Sequence, residues 1–179
     1  MLNKENTCLV VVDVQGKLAT MMDNHEQLFS QLQSMVKGVT LLGLPILWVE
    51  QLPDKLGPTI PELAELMPDN APMEKNTFSC WQNAEFRQKL IATECQQILV
   101  VGIESHICVY QTAMEMHQAG FDVEVVSDCV SSRKPENKQI ALSKMQQAGI
   151  GLTSVEMALF ELQKVAEGAT FKSLLSVIK

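Results

Sequence analysis

The sequence predicts an α/β protein: a three-layer αβα sandwich built on a doubly wound, mainly parallel sheet. Short apolar runs, typical of strands buried on both faces, alternate with segments of helical spacing. The 179 residues suit one domain, 1–179, and contain no internal repeat or low-complexity tract. Because parallel strands are joined by right-handed crossovers, the alternation indicates helices on both faces of the sheet.

The predicted elements follow one another along the chain. Strands are predicted at residues 8–12, 45–49, 97–101, 123–126 and 150–153. Helices are predicted at residues 24–42, 62–67, 83–93, 105–119, 135–148, 154–167 and 170–178, and Gly43, Gly120 and Gly149 end three of them. Residues 50–73 hold five of the seven prolines, which predicts a long irregular loop with a functional or mobile role.

Composition excludes several classes of function. The net charge of −7 would repel a phosphate backbone, so no nucleic-acid partner is expected. No apolar run approaches the ~20 residues of a membrane span, and the N-terminus lacks a signal-peptide pattern, so no membrane association is expected. Five cysteines, an odd number without CxxC pairs, indicate reduced thiols and a cytoplasmic location.

Two reactive side chains follow strands that are predicted to be neighbours. Doubly wound sheets bind ligands at the carboxyl ends of their strands, where the strand order reverses. Asp13 follows the first strand, and Cys108 lies near the start of the helix after residues 97–101. If Ser105 caps that helix, its free N–H groups and dipole favour a thiolate at Cys108 and can hold an oxyanion. On these observations alone, Cys108 is equally well interpreted as an inert core residue, and Asp13 as a carboxylate satisfied by backbone N–H groups.

Other catalytic centres lack their sequence patterns. No HExxH, HxH or CxxC spacing is present, so no metal is expected. No GxSxG, Walker loop or GxGxxG is present either, which disfavours serine hydrolases and nucleotide-binding proteins, and no cofactor is expected. Lys75, taken alone, has the pattern of a solvated surface charge, and His106 that of a turn residue.

Three segments together resemble the isochorismatase-like cysteine hydrolases. They are residues 10–15 (VVVDVQ), 74–79 (EKNTFS) and 102–109 (GIESHICV), and the likeness continues through Ser131-Ser132-Arg133. Residues 50–59 and 153–156 resemble the isochorismatase-domain-containing-protein subgroup in particular. The resemblance covers nearly the whole chain and implies a Rossmann-like fold.

The family implies a catalytic triad. Carried over, Cys108 is the nucleophile, Asp13 the proton acceptor and donor, and Lys75 the cation that holds both in place. The resemblance also implies an oxyanion hole made by the backbone N–H groups of Glu104 and Cys108, and a cis peptide bond at Ile103–Glu104. The implied reaction is hydrolysis of an amide, carbamoyl or related C–N bond of a small molecule through a thioester.

Differences between this sequence and known members of the family narrow the range of expected substrates. Residues 48–54 (WVEQLPD) contain no histidine, which disfavours the metal site and activity of the family's nicotinamidases. Isochorismate hydrolases use no cysteine nucleophile, so Cys108 disfavours that substrate. The expected substrate-binding residues are Gln15, Glu50, Gln51, Phe78, Trp81, Ser105 and Ile107. The family also implies a homo-oligomer. Two alternatives remain open: a non-catalytic relative acting through assembly or partner binding, and a redox sensor whose thiol is oxidised instead of acylated.

Overall fold

The computed structural model describes residues 1–178 and contains one six-stranded parallel sheet. The strands are β1 (Thr7–Val12), β2 (Ile46–Gln51), β3 (Met73–Lys75), β4 (Gln97–Ile103), β5 (Asp122–Ser131) and β6 (Gly151–Thr153). Their order across the sheet is β3-β2-β1-β4-β5-β6, and every neighbouring pair is parallel. The order reverses between β1 and β4, which makes the sheet doubly wound and confirms the predicted fold class.

Helices connect the strands and cover both faces. They are α1 (Gly16–Thr20), α2 (His25–Leu42), α3 (Pro53–Leu56), α4 (Pro61–Ala64), α5 (Ala84–Ala92), α6 (Tyr110–Gln118), α7 (Pro135–Gln147), α8 (Val155–Gln163) and α9 (Gly168–Ile178). A 3-10 turn occupies Cys80–Gln82, and a π-helical turn, Ser105–Val109, leads into α6. Within residues 1–178, no helix is long and apolar enough to cross a membrane.

Two apolar clusters separate the layers because side chains alternate along each buried strand. On β1, Leu9 and Val11 face the cluster that includes α2, α8 and α9, whereas Val10 and Val12 face the cluster that includes α5, α6 and α7. All six residues of β1 are buried, as expected for the central strand of a parallel sheet.

The predicted elements agree with the observed ones in position more than in length. The strand at 123–126 extends to Ser131, and the helix predicted at 154–167 ends at Gln163, where Lys164 adopts a positive φ of 63°. Within the loop predicted at 50–73, the chain forms α3, α4 and the start of β3, although only a helix at 62–67 was expected there.

Gly102 allows the carboxyl ends of β1 and β4 to meet closely. It lies opposite Val12 in the register and has a φ of 121°. A Cβ atom at this position would come within 2.0 Å of the Val12 carbonyl oxygen, so only glycine fits without moving a strand. The close approach brings the residues that follow Val12 and Ile103 to one place.

Candidate active site

Asp13 leaves the end of β1 in a left-handed conformation with a φ of 52°, which is uncommon for residues other than glycine and turns the chain sharply after the strand. Its carboxyl group is buried. Oδ2 accepts a hydrogen bond from Lys75 Nζ at 2.6 Å, whereas Oδ1 has no hydrogen-bond partner among residues 1–178. One oxygen is therefore held by a cation and the other is open to accept a proton.

Lys75 is the last residue of β3 and is as deeply buried as its partner. Besides Asp13, its Nζ donates to Gln51 Oε1 at 2.7 Å and to the Thr77 carbonyl oxygen at 3.0 Å. Three donated bonds satisfy all three protons of the ammonium group. Burial with full hydrogen bonding is the condition under which a charged lysine is tolerated inside a protein.

Cys108 lies in the π-helical turn after β4. The N–H groups of Ile107 and Val109 both donate to the Glu104 carbonyl oxygen, at 3.0 and 3.3 Å. Cys108 is 8% exposed, and its Sγ lies 3.8 Å from Gln51 Oε1. Gln51 thus contacts both the thiol and the ammonium group of Lys75. The sequence indicated no such bridging position for it, because Gln51 was expected to bind substrate.

Burial controls the protonation of both reacting groups. Burial raises the pKa of the Cys108 thiol well above its ordinary value, the negative charge of Asp13 raises it further, and Lys75 opposes the shift. The expectation that a position near a helix start would favour the thiolate of Cys108 is therefore wrong, because burial outweighs that effect. Burial also raises the pKa of the Asp13 carboxyl, and the charge and hydrogen bond of Lys75 oppose that rise.

A cavity of about 220 Å³ opens beside the thiol. It is smaller than the roughly 300–1,000 Å³ typical of drug-sized ligand sites, so it suits a small molecule. Of the expected substrate-binding residues, Gln51, Phe78 and Ile107 line it, together with Asp13, Glu104 and Cys108. The remaining lining residues, which the sequence did not single out, are Leu18, Leu52, Lys55, Leu56 and Ile103.

Gln15 and Glu50 lie away from the cavity lining and hold the chain that forms its wall. Gln15 Nε2 donates to the carbonyl oxygens of Gln51 (3.1 Å) and Gly57 (2.7 Å), and Gln15 Oε1 accepts from the Gln51 N–H at 2.6 Å. Glu50 Oε1 accepts from the N–H and the hydroxyl of Thr59 at 2.7 and 2.8 Å. Both residues thereby fix the segment that contains α3.

Trp81 and Ser105 also do not line the cavity. The Trp81 ring packs edge-on against Phe121 with ring centroids 5.5 Å apart. The Ser105 hydroxyl is buried and has no hydrogen-bond partner within residues 1–178. The expectation that Ser105 caps the helix is wrong, because Glu104 is the residue that precedes the π-helical turn and Ser105 lies inside it.

Glu104 connects the nucleophile turn to the chain after β5. The peptide bond between Ile103 and Glu104 is cis, as the resemblance implied. The Glu104 carboxylate accepts from Arg133, from its backbone N–H at 3.0 Å and from Nε at 3.1 and 3.2 Å. Next to it, His106 Nδ1 lies 2.9 Å from the Ser132 hydroxyl. The segment Ser131-Ser132-Arg133, which the sequence marked only by its resemblance, therefore braces this turn.

Metal-ligating side chains do not converge in the part of the chain that the structure describes: no three His, Cys, Asp or Glu residues come together there. The carboxylates at the site, Asp13 and Glu104, are each engaged by a cationic side chain.

Comparisons with known proteins place the chain among related sequences and folds. A family model described as the isochorismatase domain matches residues 7–157. Isochorismatase domain-containing protein 2A of Mus musculus is 33% identical over 177 residues, which cover 98% of this chain and 84% of the mouse protein. The structure of MAR1 ribonuclease from Caenorhabditis elegans has a TM-score of 0.92 and 31% identity, covering 99% of this chain and 91% of that one. The Escherichia coli YcaC gene product, described as an octameric hydrolase of unknown specificity, has a TM-score of 0.93 and 24% identity, covering 98% and 89%.

Proposed function

The chain belongs to the isochorismatase family, whose members are hydrolases, and on this premise we propose that it is a cysteine hydrolase of small amides or carbamoyl compounds. One observation carries the proposal. A buried carboxylate, Asp13, has one oxygen bound by Lys75 at 2.6 Å and one oxygen without a partner among the described residues. It lines the same cavity as the thiol of Cys108.

Acylation begins from a neutral thiol, because burial raises the pKa of Cys108. Asp13 takes the thiol proton on its free oxygen as the sulfur attacks the substrate carbonyl carbon. Lys75 keeps the carboxylate oriented and reduces its repulsion of the forming thiolate. The proton is thus transferred during attack, and no resting thiolate is required.

Breakdown of the tetrahedral intermediate returns the proton. The backbone N–H groups of Glu104 and Cys108 are the proposed donors to the oxyanion. Asp13 then protonates the departing nitrogen, the C–N bond breaks, and a thioester remains on Cys108. Water, deprotonated by Asp13, attacks the thioester, and the products are the acid and the restored thiol. Gln51, which contacts both the thiol and Lys75, fixes the side chains relative to each other.

Cavity size and charge favour a small-molecule substrate over RNA, although a relative is described as a ribonuclease. The thiol lies in a space of about 220 Å³, and the chain carries a net charge of −7, so an extended polyanion would be repelled. Incubation with single-stranded RNA should yield no cleavage products. RNA cleavage that is lost in Cys108→Ala would reverse this choice.

We further propose that the protein is a homo-oligomer and that it is located in the cytoplasm. The octameric description of the YcaC gene product supports a homo-oligomer for this chain. All five cysteines are free thiols, which supports a reducing, cytoplasmic location. Sedimentation of the purified protein tests the first point, since a monomer at all concentrations would contradict it.

Ammonia release from a panel of small primary amides tests the proposed reaction. Wild type should release ammonia and accumulate an acyl adduct on Cys108 that intact-mass spectrometry detects. Cys108→Ala should lose both, while its thermal unfolding remains close to wild type. Cys95→Ala is the matched control, because Cys95 is buried at the opposite end of β4 from the cavity. Full turnover in Cys108→Ala would reject the thioester route. Absence of turnover in wild type on every amide of the panel would favour the non-catalytic and redox-sensing alternatives instead.

A further inference from the structure

The cavity beside Cys108 has an apolar wall and one lysine. Its apolar lining consists of Leu18, Leu52, Leu56, Phe78, Ile103 and Ile107. Phe78 is more than half exposed, so its ring forms part of the open rim of the cavity, where an apolar group of a bound molecule can contact it. Lys55, from α3, lies on the same wall and is exposed.

The charges that line this cavity are balanced except for one. Asp13 is paired with Lys75, and Glu104 is paired with Arg133. Lys55 enters no ion pair with any residue from 1 to 178. The cavity therefore offers an incoming molecule one cation that is not already engaged, at the edge of an apolar surface.

The segment that carries Lys55 is fixed in place. Gln15 bonds to backbone oxygens at both ends of α3, those of Gln51 and Gly57. Gly16 also packs against the end of α3: a Cβ atom on Gly16 would lie 2.3 Å from the Leu56 carbonyl oxygen. A wall held at both ends and packed beneath presents its lysine with little freedom of the backbone, which favours selective binding.

We propose that the substrate is an amide with an apolar middle and an anionic group, such as a carboxylate, at the end remote from the scissile bond. Lys55 is its specificity-determining residue. The apolar middle lies against the leucines and Phe78, and the anion meets the Lys55 ammonium group at the rim. This inference rests on the proposed function, because it places the reacting carbonyl at Cys108.

A pair of electrophiles that differ only in their terminal group, a methyl or a carboxylate, tests the proposal without a known substrate. The probes are N-hexyl iodoacetamide and 6-(iodoacetamido)hexanoate, which share the reactive group and the apolar chain. Alkylation rates at Cys108 are measured by peptide mass spectrometry at about pH 8.5, where more of a high-pKa thiol is ionised. The rate ratio of the two probes on glutathione serves as the intrinsic reference.

Wild type should favour the anionic probe by about tenfold over the glutathione reference, which is the effect of one good ionic contact. Lys55→Met should reduce that preference to near the reference, through a slower reaction of the anionic probe. Lys172→Met removes the same charge from an exposed residue of α9 that does not line the cavity, and it should keep the preference.

The outcomes distinguish failure of the proposed substrate class from failure of the proposed nucleophile. If Cys108 reacts with both probes at the reference ratio, or if Lys55→Met keeps the wild-type preference, the anionic substrate class is overturned and the nucleophile stands. If neither probe labels Cys108, the proposed nucleophile is rejected, and the substrate class falls with it.

Discussion

Arg133 holds the carboxylate of Glu104 with its backbone N–H and its Nε, at 3.0 to 3.2 Å, so the second residue after β5 orients the residue that follows β4. Glu104 is buried, whereas the Arg133 side chain is about half exposed. The backbone N–H of Glu104 is also one of the two proposed oxyanion donors. If the proposed function holds, Arg133 is a positioning residue for the proposed catalytic turn.

Arg133→Gln should lower kcat by about tenfold, equivalent to about 1.4 kcal/mol of transition-state stabilisation, with little change in KM. Stability should fall by less than about 1 kcal/mol, because a half-exposed ion pair is screened by water. Arg133→Lys should recover only part of kcat, since an ammonium group lacks the fork of donors. Steady-state kinetics and thermal unfolding measure both effects. Lys89→Gln, which removes an exposed ion pair on α5, is the control. An equal loss of kcat in that control would remove Arg133 from the catalytic turn.

Lys75→Met should be strongly destabilising. It leaves the buried Asp13 carboxyl without its cation, and removing one partner of a buried ion pair costs about 3–5 kcal/mol. Asp13→Asn combined with Lys75→Met should recover much of that loss, because neither charge then remains. Urea unfolding of the single and double variants measures the coupling. Additive losses would mean that the 2.6 Å contact contributes no specific stabilisation.

Lys75→Met should also acquire a distinct pH dependence. Burial already raises the pKa of Asp13 in the folded protein, and loss of Lys75 removes the interaction that opposes the rise. The folded state then binds the proton more tightly than the unfolded state, whose pKa is about 3.9. Stability is therefore retained below that value and lost as the pH rises through the raised folded pKa. Unfolding curves at acid and neutral pH check the sign, and a variant that is more stable at neutral pH would contradict it.

The fold could be predicted from the sequence because its signals are local. A continuous apolar run predicts a buried strand at residues 8–12, and a glycine predicts the end of the helix at residues 24–42. Neither prediction needs information from the rest of the chain. The meeting of Asp13 with Cys108 followed from one topological rule, the position of the reversal in strand order.

The environment of Lys75 could not be predicted from pattern, because it depends on long-range pairing. β3 has only three residues and follows a proline-rich loop, so it has too little alternation to indicate a strand. Taken alone, Lys75 has the sequence pattern of a surface residue. Only the family resemblance predicted that it belongs to the active site. Lys55 and Leu56 were missed for the same reason, since their place on the cavity wall is set by distant bonds from Gln15.

Activity should decline on the acid side at a higher pH than an ordinary aspartate would produce. Asp13 must be ionised to accept the thiol proton, and burial raises its pKa. The rate of Cys108 alkylation should rise steadily into the alkaline range, because burial also raises the pKa of the thiol. Profiles of kcat/KM and of iodoacetamide labelling against pH test the two statements. A labelling rate that levels off near neutral pH would show a stable thiolate and remove the need for proton transfer during attack.

Gly102→Ala should lower both stability and activity, whereas Gly120→Ala should lower stability less and leave activity close to wild type. Both glycines have a positive φ, of 121° and 98°, so alanine is strained at each by about 1 kcal/mol or more. At Gly120 a Cβ meets nothing within 4 Å, but at Gly102 it would lie 2.0 Å from the Val12 carbonyl oxygen. Relieving that contact separates β1 from β4, which adds roughly 1–3 kcal/mol and moves Asp13 away from Cys108. Urea unfolding and ammonia release measure the pair. Equal losses in the two variants would mean that the left-handed backbone accounts for the whole effect, and that the close approach of the strands is not what assembles the site.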